Sequence, residues 1–273
     1  MPQFYCCLTR SLNTHIMKSF KHSGAMGDLI YGLALVQEFG GGDFYLHLNQ
    51  LDWVGRHYYG SAPSAFHQGR MTQADFEFMK TFMEFQPYIA KFAQLDPKVD
   101  AITHNLDRFR QLFVGHPTNY LDVYNATFGV SGQGRERVLS RPWLSVPQLT
   151  RVPHRPVVVN RTDRWTPPVL SDQWRLWREQ GLDQKALFVG LPAEYSEFVR
   201  VTGWQDTIYH PTPSLLELAE IIAGAQQFIG NQSQCYALAV GLGVPQICLE
   251  MRQDLPRERN ECYFPSRPQI SYI

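Results

Sequence analysis

The sequence predicts an α/β fold of two similar domains built on parallel sheets, and three observations carry that prediction. A strand, a loop, a helix and a second strand follow one another over residues 19–48, the length of a βαβ unit. A second α/β run opens at Pro156-Val157-Val158-Val159-Asn160. Between the two runs, residues 129–156 hold Gly129, Gly132, Gly134, Pro142, Pro147, Pro153 and Pro156 without a sustained period, which suits an interdomain connection. A chain of 273 residues is long enough for two domains that each bury a core.

Along the first domain, residues 19–22 read as a strand and residues 28 to 39 as a helix with Leu29, Leu33 and Val36 on its buried side. Gly40-Gly41-Gly42 stops that helix, and 44–48 is the next strand. The aromatics and methionines of 72–93 suggest a helix interrupted near Pro87, 99–103 a further buried strand, and 119–128 a helix. In the second domain strands are expected at 157–160, 186–190, 207–209, 227–230 and 246–250, with helices near 171–180, 195–201, 214–225 and 233–242. Ser214 with Glu217 three residues later forms a capping-box pattern, and Gly243 ends the last helix. The domains are therefore set at 17–150 and 151–253. Residues 254–273, with three prolines, read as an irregular tail returning to the first domain. Residues 1–16 read as an extension outside the fold, or as an extra strand or arm.

Composition excludes several function classes. Twenty-five basic residues offset twenty-five acidic ones, so no global field draws the chain to nucleic acid or anionic membrane. Five cysteines without C-x-x-C spacing argue against a disulfide framework and a zinc site, and fit a reducing compartment such as the cytoplasm. No apolar run has the length of a membrane-spanning helix.

Three stretches carry candidate chemistry. In His22-Ser23-Gly24-Ala25-Met26-Gly27-Asp28, glycines between a strand and a helix let a substrate approach the backbone at the carboxyl edge of a sheet. Asp28 follows that loop, and a carboxylate in the first helical turn complements the helix dipole. In Gly230-Asn231-Gln232-Ser233-Gln234, a glycine and free N–H groups at a helix start make a diphosphate site, and Asn231 or Ser233 can equally cap the helix. In Asn160-Arg161-Thr162-Asp163-Arg164, arginine forks that suit diphosphate oxygens follow an apolar strand. Gly190, Glu194, His210 and Glu250, at or near other strand ends, are further candidates for the nucleotide.

Residues 21–35, KHSGAMGDLIYGLAL, and 215–250, LLELAEIIAGAQQFIGNQSQCYALAVGLGVPQICLE, resemble the ADP-heptose lipopolysaccharide heptosyltransferases, the second stretch through its Leu-Gly-Val-Pro step before a strand. The resemblance implies the GT-B architecture, with two Rossmann-like domains facing across a cleft. It also implies a glycosyltransferase that moves a sugar, with inversion, from a nucleotide-diphosphate-sugar to a hydroxyl of a glycan or other acceptor, with Asp28 as general base. The loop at 22–28, read with that resemblance, is expected to bring His22, Ser23, Gly24, Met26 and Gly27 to the acceptor. Asn160, Arg161, Arg164, Gly190, Glu194, His210, Gly230, Asn231, Gln232, Ser233, Gln234 and Glu250, at or near strand ends of the second domain, are expected to contact the donor. Gln232, Gln234 and Ala237 stand where the family carries aspartate, glycine and histidine, a difference in sugar contacts rather than in phosphate geometry. With no D-x-D triplet in the chain, neither a metal ion nor a cofactor is expected beside the donor. Two alternatives remain open at this level: transfer to a hydroxymethylated base in DNA, and a non-catalytic nucleotide-sugar binding module.

Overall fold

The computed structural model describes residues 18–50, 70–113, 119–163, 166–252 and 269–273; the expected extension at 1–16, Arg164 and most of the expected tail lie outside them. The first part of the chain runs β1 (Ser19–His22), α1 (Met26–Glu38), β2 (Gly42–Leu46), α2 (Gln73–Phe85), β3 (Ile89–Gln94), β4 (His104–Asn105), α3 (Phe109–Phe113), α4 (Tyr120–Thr127) and α5 (Gln133–Ser140). The second runs β5 (Val157–Asn160), α6 (Asp172–Glu179), β6 (Ala186–Phe188), α7 (Pro192–Thr202), β7 (Ile208–Tyr209), α8 (Leu215–Gly224), β8 (Gln227–Gly230), α9 (Gln234–Leu242), β9 (Gln246–Leu249) and β10 (Ile270–Tyr272).

These strands form two sheets, ordered β3-β2-β1-β4 and β10-β9-β8-β5-β6-β7, and every neighbouring pair is parallel. The second order is that of a dinucleotide-binding sheet, and the first is its four-stranded core. In each, the winding reverses beside the opening strand, between β1 and β4 and between β5 and β8. Ligands of open α/β sheets bind outside the carboxyl ends of strands at such a reversal.

Burial explains the strand sequences. Val157-Val158-Val159 is buried on both faces, as a central parallel strand must be. Val158 faces the large core shared with α1, α2, α8 and α9, while Val157 and Val159 face a second cluster with Trp174, Phe188, Phe198 and Trp204. The large core is continuous through both halves of the chain, because α1 packs on α9 and α2 on α8. Trp143, in the connecting segment, is wedged between them: its indole N–H donates to the Ile30 carbonyl at 2.8 Å and its backbone N–H to the Gly241 carbonyl at 2.9 Å.

The structure departs from the sequence expectations at four places. Residues 89–94 form edge strand β3 rather than helix; Pro87 ends the helical period, but Phe92 continues the spacing of α2, so the pattern alone does not separate them. Residues 99–103 are not a strand: Val99 is 78% exposed, and Ser19 holds this segment through the Ala101 carbonyl and Thr103. The connecting segment contains α5, a polar helix with Val138 as its buried residue and therefore without a legible apolar stripe. At the end of the chain, Ile270–Tyr272 pairs with β9 and extends the second sheet, where the prolines had suggested an irregular tail crossing to the first domain.

Candidate functional site

At the carboxyl end of the first sheet, His22 ends β1, and Asp107 and Arg110 follow β4 on the other side of the winding reversal. The loop between β1 and α1 is fastened to that opposite side. The Ser23 backbone N–H and hydroxyl both donate to the Asp107 carboxylate, at 3.2 and 2.9 Å. Arg110 donates through Nη1 to Asp107 Oδ1 at 2.5 Å and through Nη2 to Asp28 Oδ2 at 2.7 Å. Asp107 is buried, whereas the Asp28 side chain is 21% exposed. Burial acts to raise the Asp107 carboxyl, but the His22 ring, the Arg110 guanidinium and the two Ser23 hydrogen bonds outweigh it and hold that carboxyl below the ordinary value.

A second chain of hydrogen bonds fixes the protonation of His22. The Gly24 N–H lies 3.1 Å from Nδ1, so Nδ1 must be the acceptor and Nε2 carries the proton, which it donates to the Tyr124 hydroxyl at 3.2 Å. Tyr124 in turn donates to the Asp28 backbone carbonyl at 3.0 Å. Complete burial lowers the His22 pKa to about 4 despite the neighbouring Asp107 carboxylate, so the ring is neutral at physiological pH. Burial likewise pushes the Tyr124 hydroxyl far up, keeping it protonated. His22 and Ser23, expected beside the acceptor, are thus internal braces of the loop. The space above Gly24, expected to admit substrate, is filled by Arg110: a Cβ built there would lie 2.1 Å from Nη2. Met26 and Gly27 open α1, with Asp28 in its first turn.

At the second sheet, the reversal is closed by neutral amides. Asn231 is fully buried; its Oδ1 accepts from the Thr162 N–H at 2.9 Å and its Nδ2 donates to the Thr162 carbonyl at 2.6 Å, so this side chain imitates a strand neighbour across the gap. Gly230 is required by space, since a Cβ there would come within 2.3 Å of the Asn160 carbonyl oxygen. Asn160 donates through Nδ2 to the Val189 carbonyl at 2.8 Å, and its Oδ1 is buried with no partner among the described residues. Gly190 leaves room for Asn160 and for Glu194, whose carboxylate accepts from the Leu191 N–H at 2.9 Å at the start of α7. Burial raises the Glu194 pKa against that hydrogen bond.

Arg161, read from sequence as a phosphate ligand, donates through Nε to Glu250 Oε2 at 2.7 Å in an ion pair 4% and 0% exposed. Glu250 also accepts from the Trp174 indole at 2.8 Å. These two residues therefore tie the ends of β5 and β9 to α6. His210, half exposed, lies 3.4 Å from Glu217 in the first turn of α8. Gln232, Ser233 and Gln234 lead into α9, where the Ser233 hydroxyl accepts from the Tyr236 N–H at 3.2 Å and its carbonyl from Ala237. The N–H groups of Gln234 and Cys235 are the first of the helix and lie outside its internal ladder.

The two helix starts meet: Gly27, in the first turn of α1, lies against Gln234, the first residue of α9, its built Cβ 3.7 Å from the Gln234 Cα. Sequence reasoning singled out both loops but missed Asp107, Arg110 and Tyr124. No spacing ties residues so far apart to the β1–α1 loop. Among the described residues no cluster of histidine, cysteine, aspartate or glutamate is suited to a metal ion, and no helix is long and apolar enough to cross a membrane.

No protein-family model and no curated protein sequence matches this chain. Solved structures do. A family 9 glycosyltransferase from Veillonella parvula DSM 2008 is similar at 11% identity and a TM-score of 0.58, over 94% of this chain and 86% of that one. The iron-containing dodecameric glycosyltransferase TibC from enterotoxigenic Escherichia coli H10407 is similar at 14% identity and a TM-score of 0.53, over 93% of this chain and 63% of its own. The E. coli heptosyltransferase WaaC aligns over 94% of this chain and 92% of its own, at 14% identity and a TM-score of 0.49. The likeness to the first two is one of fold: two α/β units with parallel sheets, as in glycosyltransferases of this architecture.

Proposed function

We propose that this protein is a glycosyltransferase that moves a sugar from a nucleotide-diphosphate-sugar to an acceptor hydroxyl, with inversion and with Asp28 as general base. The observation that carries the reading is the meeting of the first turn of α1, which holds Asp28 at the reversal of the first sheet, with the start of α9 at the reversal of the second. Asp28 presents Oδ1, which accepts no hydrogen bond from a described residue, while Oδ2 is taken by Arg110. A carboxylate so placed can take the proton as the acceptor oxygen attacks the anomeric carbon. The bond from that carbon to the diphosphate breaks, and its electron pair leaves with the phosphate oxygen.

Gln232, Ser233, Gln234 and the first N–H groups of α9 are the groups we assign to the diphosphate, where the positive end of the helix stabilises the departing charge. Asn231, Arg161 and Glu250 then support that site from within rather than touching the donor. The buried free thiols Cys235 and Cys248 suit a reducing cytoplasm.

A melting-temperature screen against ADP-, GDP- and UDP-sugars tests donor binding, since a ligand bound only by the folded chain raises its stability. With the donor so found, Asp28→Asn is expected to bind it normally and to lower turnover by roughly 10²–10⁴-fold, the contribution of a positioned base. Unchanged turnover in a folded Asp28→Asn variant would reject Asp28 as the base. Failure of every nucleotide-sugar to shift the melting curve would reject the donor class.

A further inference from the structure

We propose that Arg110 is the positioning residue of Asp28, seated by Gly24 and Asp107, so that the carboxylate is aimed by a cation that never touches substrate. This inference rests on the reading of Asp28 as the base. It begins from the geometry of the guanidinium, which is held on every side that the described residues supply. Nη1 is bound to Asp107, Nη2 to Asp28, and the guanidinium carbon lies 4.7 Å from the centroid of the Phe109 ring. The backbone of Gly24 lies beneath it.

The seat is built inward from buried groups. Asp107 cannot swing, because both its oxygens are engaged: Oδ1 by the Ser23 N–H and Arg110, Oδ2 by the Ser23 hydroxyl. Ser23 lies in the loop that leads into α1, whose first turn holds Asp28, so the segment that grips Asp107 runs directly into the aimed carboxylate. The cation bridges them across the reversal of the sheet. One guanidinium thus serves two carboxylates of unequal burial, gripping the buried one and steering the exposed one. Arginine suits this task and lysine does not, because the planar fork directs its N–H groups to two acceptors at a fixed angle.

Gly24 gives the inference an independent handle. Its backbone is not among the positive-φ residues, so alanine is compatible with the chain conformation there. What alanine meets is Arg110: the added Cβ would stand 2.1 Å from Nη2 and 2.7 Å from Cζ. Gly24→Ala therefore displaces the guanidinium without altering a single charge.

The test is a set of variants assayed for turnover of the nucleotide-sugar that gives the largest melting shift in the screen above, each checked by its melting curve. Arg110→Gln is expected to lower kcat by roughly 10–100-fold, the scale of a catalytic group misplaced by about an ångström, with the KM for the donor nearly unchanged. Arg110→Lys should recover part of that loss, and Gly24→Ala should reproduce most of it. In an Asp28→Asn background, adding Arg110→Gln should cost no further activity, because a residue that acts through another is silent once that other is gone.

An equal loss from Arg110→Gln in both backgrounds would overturn the proposal by showing that Arg110 acts on its own. A raised KM with unchanged kcat would overturn it by making Arg110 a donor contact. Full activity in Arg110→Gln, with Asp28→Asn inactive, would remove the positioning role and leave the base assignment standing. Full activity in Asp28→Asn would remove both. Should Arg110→Gln not fold, the comparison of Gly24→Ala with Arg110→Lys decides: loss in the first and partial retention in the second support the seat, and full activity in Gly24→Ala rejects it.

Discussion

The two winding reversals have the same topology and are finished in opposite ways. At β5 and β8 the gap is closed from inside: the Asn231 amide pairs with both backbone groups of Thr162, and the Arg161–Glu250 ion pair is withdrawn from solvent and further satisfied by the Trp174 indole. At β1 and β4 the polar groups are charged and graded outward, from the buried Asp107 through Arg110 to the partly exposed Asp28. Topology thus decides where a ligand can sit, while the polar side chains decide what happens there. At the second reversal the polar groups are turned inward onto protein partners, save the buried Asn160 Oδ1, which has none among the described residues. At the first, the Asp28 carboxylate has one oxygen tethered to Arg110 and is, on the reading proposed above, the place for proton transfer.

The largest effect on stability is expected where the comparison is most one-sided. Glu250→Gln leaves a buried guanidinium without its counter-charge and should destabilise the protein by about 3–5 kcal/mol in urea unfolding, whereas replacing both partners together by apolar residues should cost less, about 1–3 kcal/mol, the cost of leaving the buried Trp174 indole N–H without its acceptor. Asp28→Asn, with its partner still held by Asp107 and near solvent, should cost about 1 kcal/mol or less. Equal losses from the two single substitutions would erase the distinction between the inward-paired and the outward-graded reversal.

A pH titration of stability should single out the first reversal. The His22 pKa falls from 6.5 in the unfolded chain to about 4 in the folded one, chiefly through burial. Between those values the unfolded state binds the proton and the folded state does not. Stability is therefore complete above pH 6.5 and is lost as pH falls toward 4, by roughly 3 kcal/mol at one pKa unit per 1.4 kcal/mol. Asp107, Arg110, Asp28 and Lys21 surround the ring. Of these, Asp107 has a lowered carboxyl pKa whose own loss comes at lower pH still. His22→Gln should flatten the profile between pH 6.5 and 4, and an unchanged slope would mean that His22 is protonated in the folded protein. A small effect, like that of Asp28→Asn, is expected at Ser233, where alanine removes the cap of α9 for about 1 kcal/mol. A loss of nucleotide affinity in Ser233→Ala beyond that of the cap would sharpen the donor assignment, and it can be measured by calorimetry.

Sequence alone determined the parallel α/β character, the strands at 19–22, 157–160 and 227–230, and the two helix starts that meet at Gly27 and Gln234. These rest on local rules: apolar runs of strand length, caps such as Ser214 and Ser233, and glycine at a helix end. It did not reveal α5, whose surface is polar, or β10, whose three residues follow a proline-rich stretch and gain their identity only by pairing with β9. Nor could it assign the partners of Asp28, His22 and Arg161. Arg110, Tyr124 and Glu250 stand 82, 102 and 89 residues away from Asp28, His22 and Arg161 respectively. A charged side chain displays its type in the sequence, but whether it is tethered, buried or presented depends on which strand end the fold brings beside it, and only the tertiary structure supplies that neighbour.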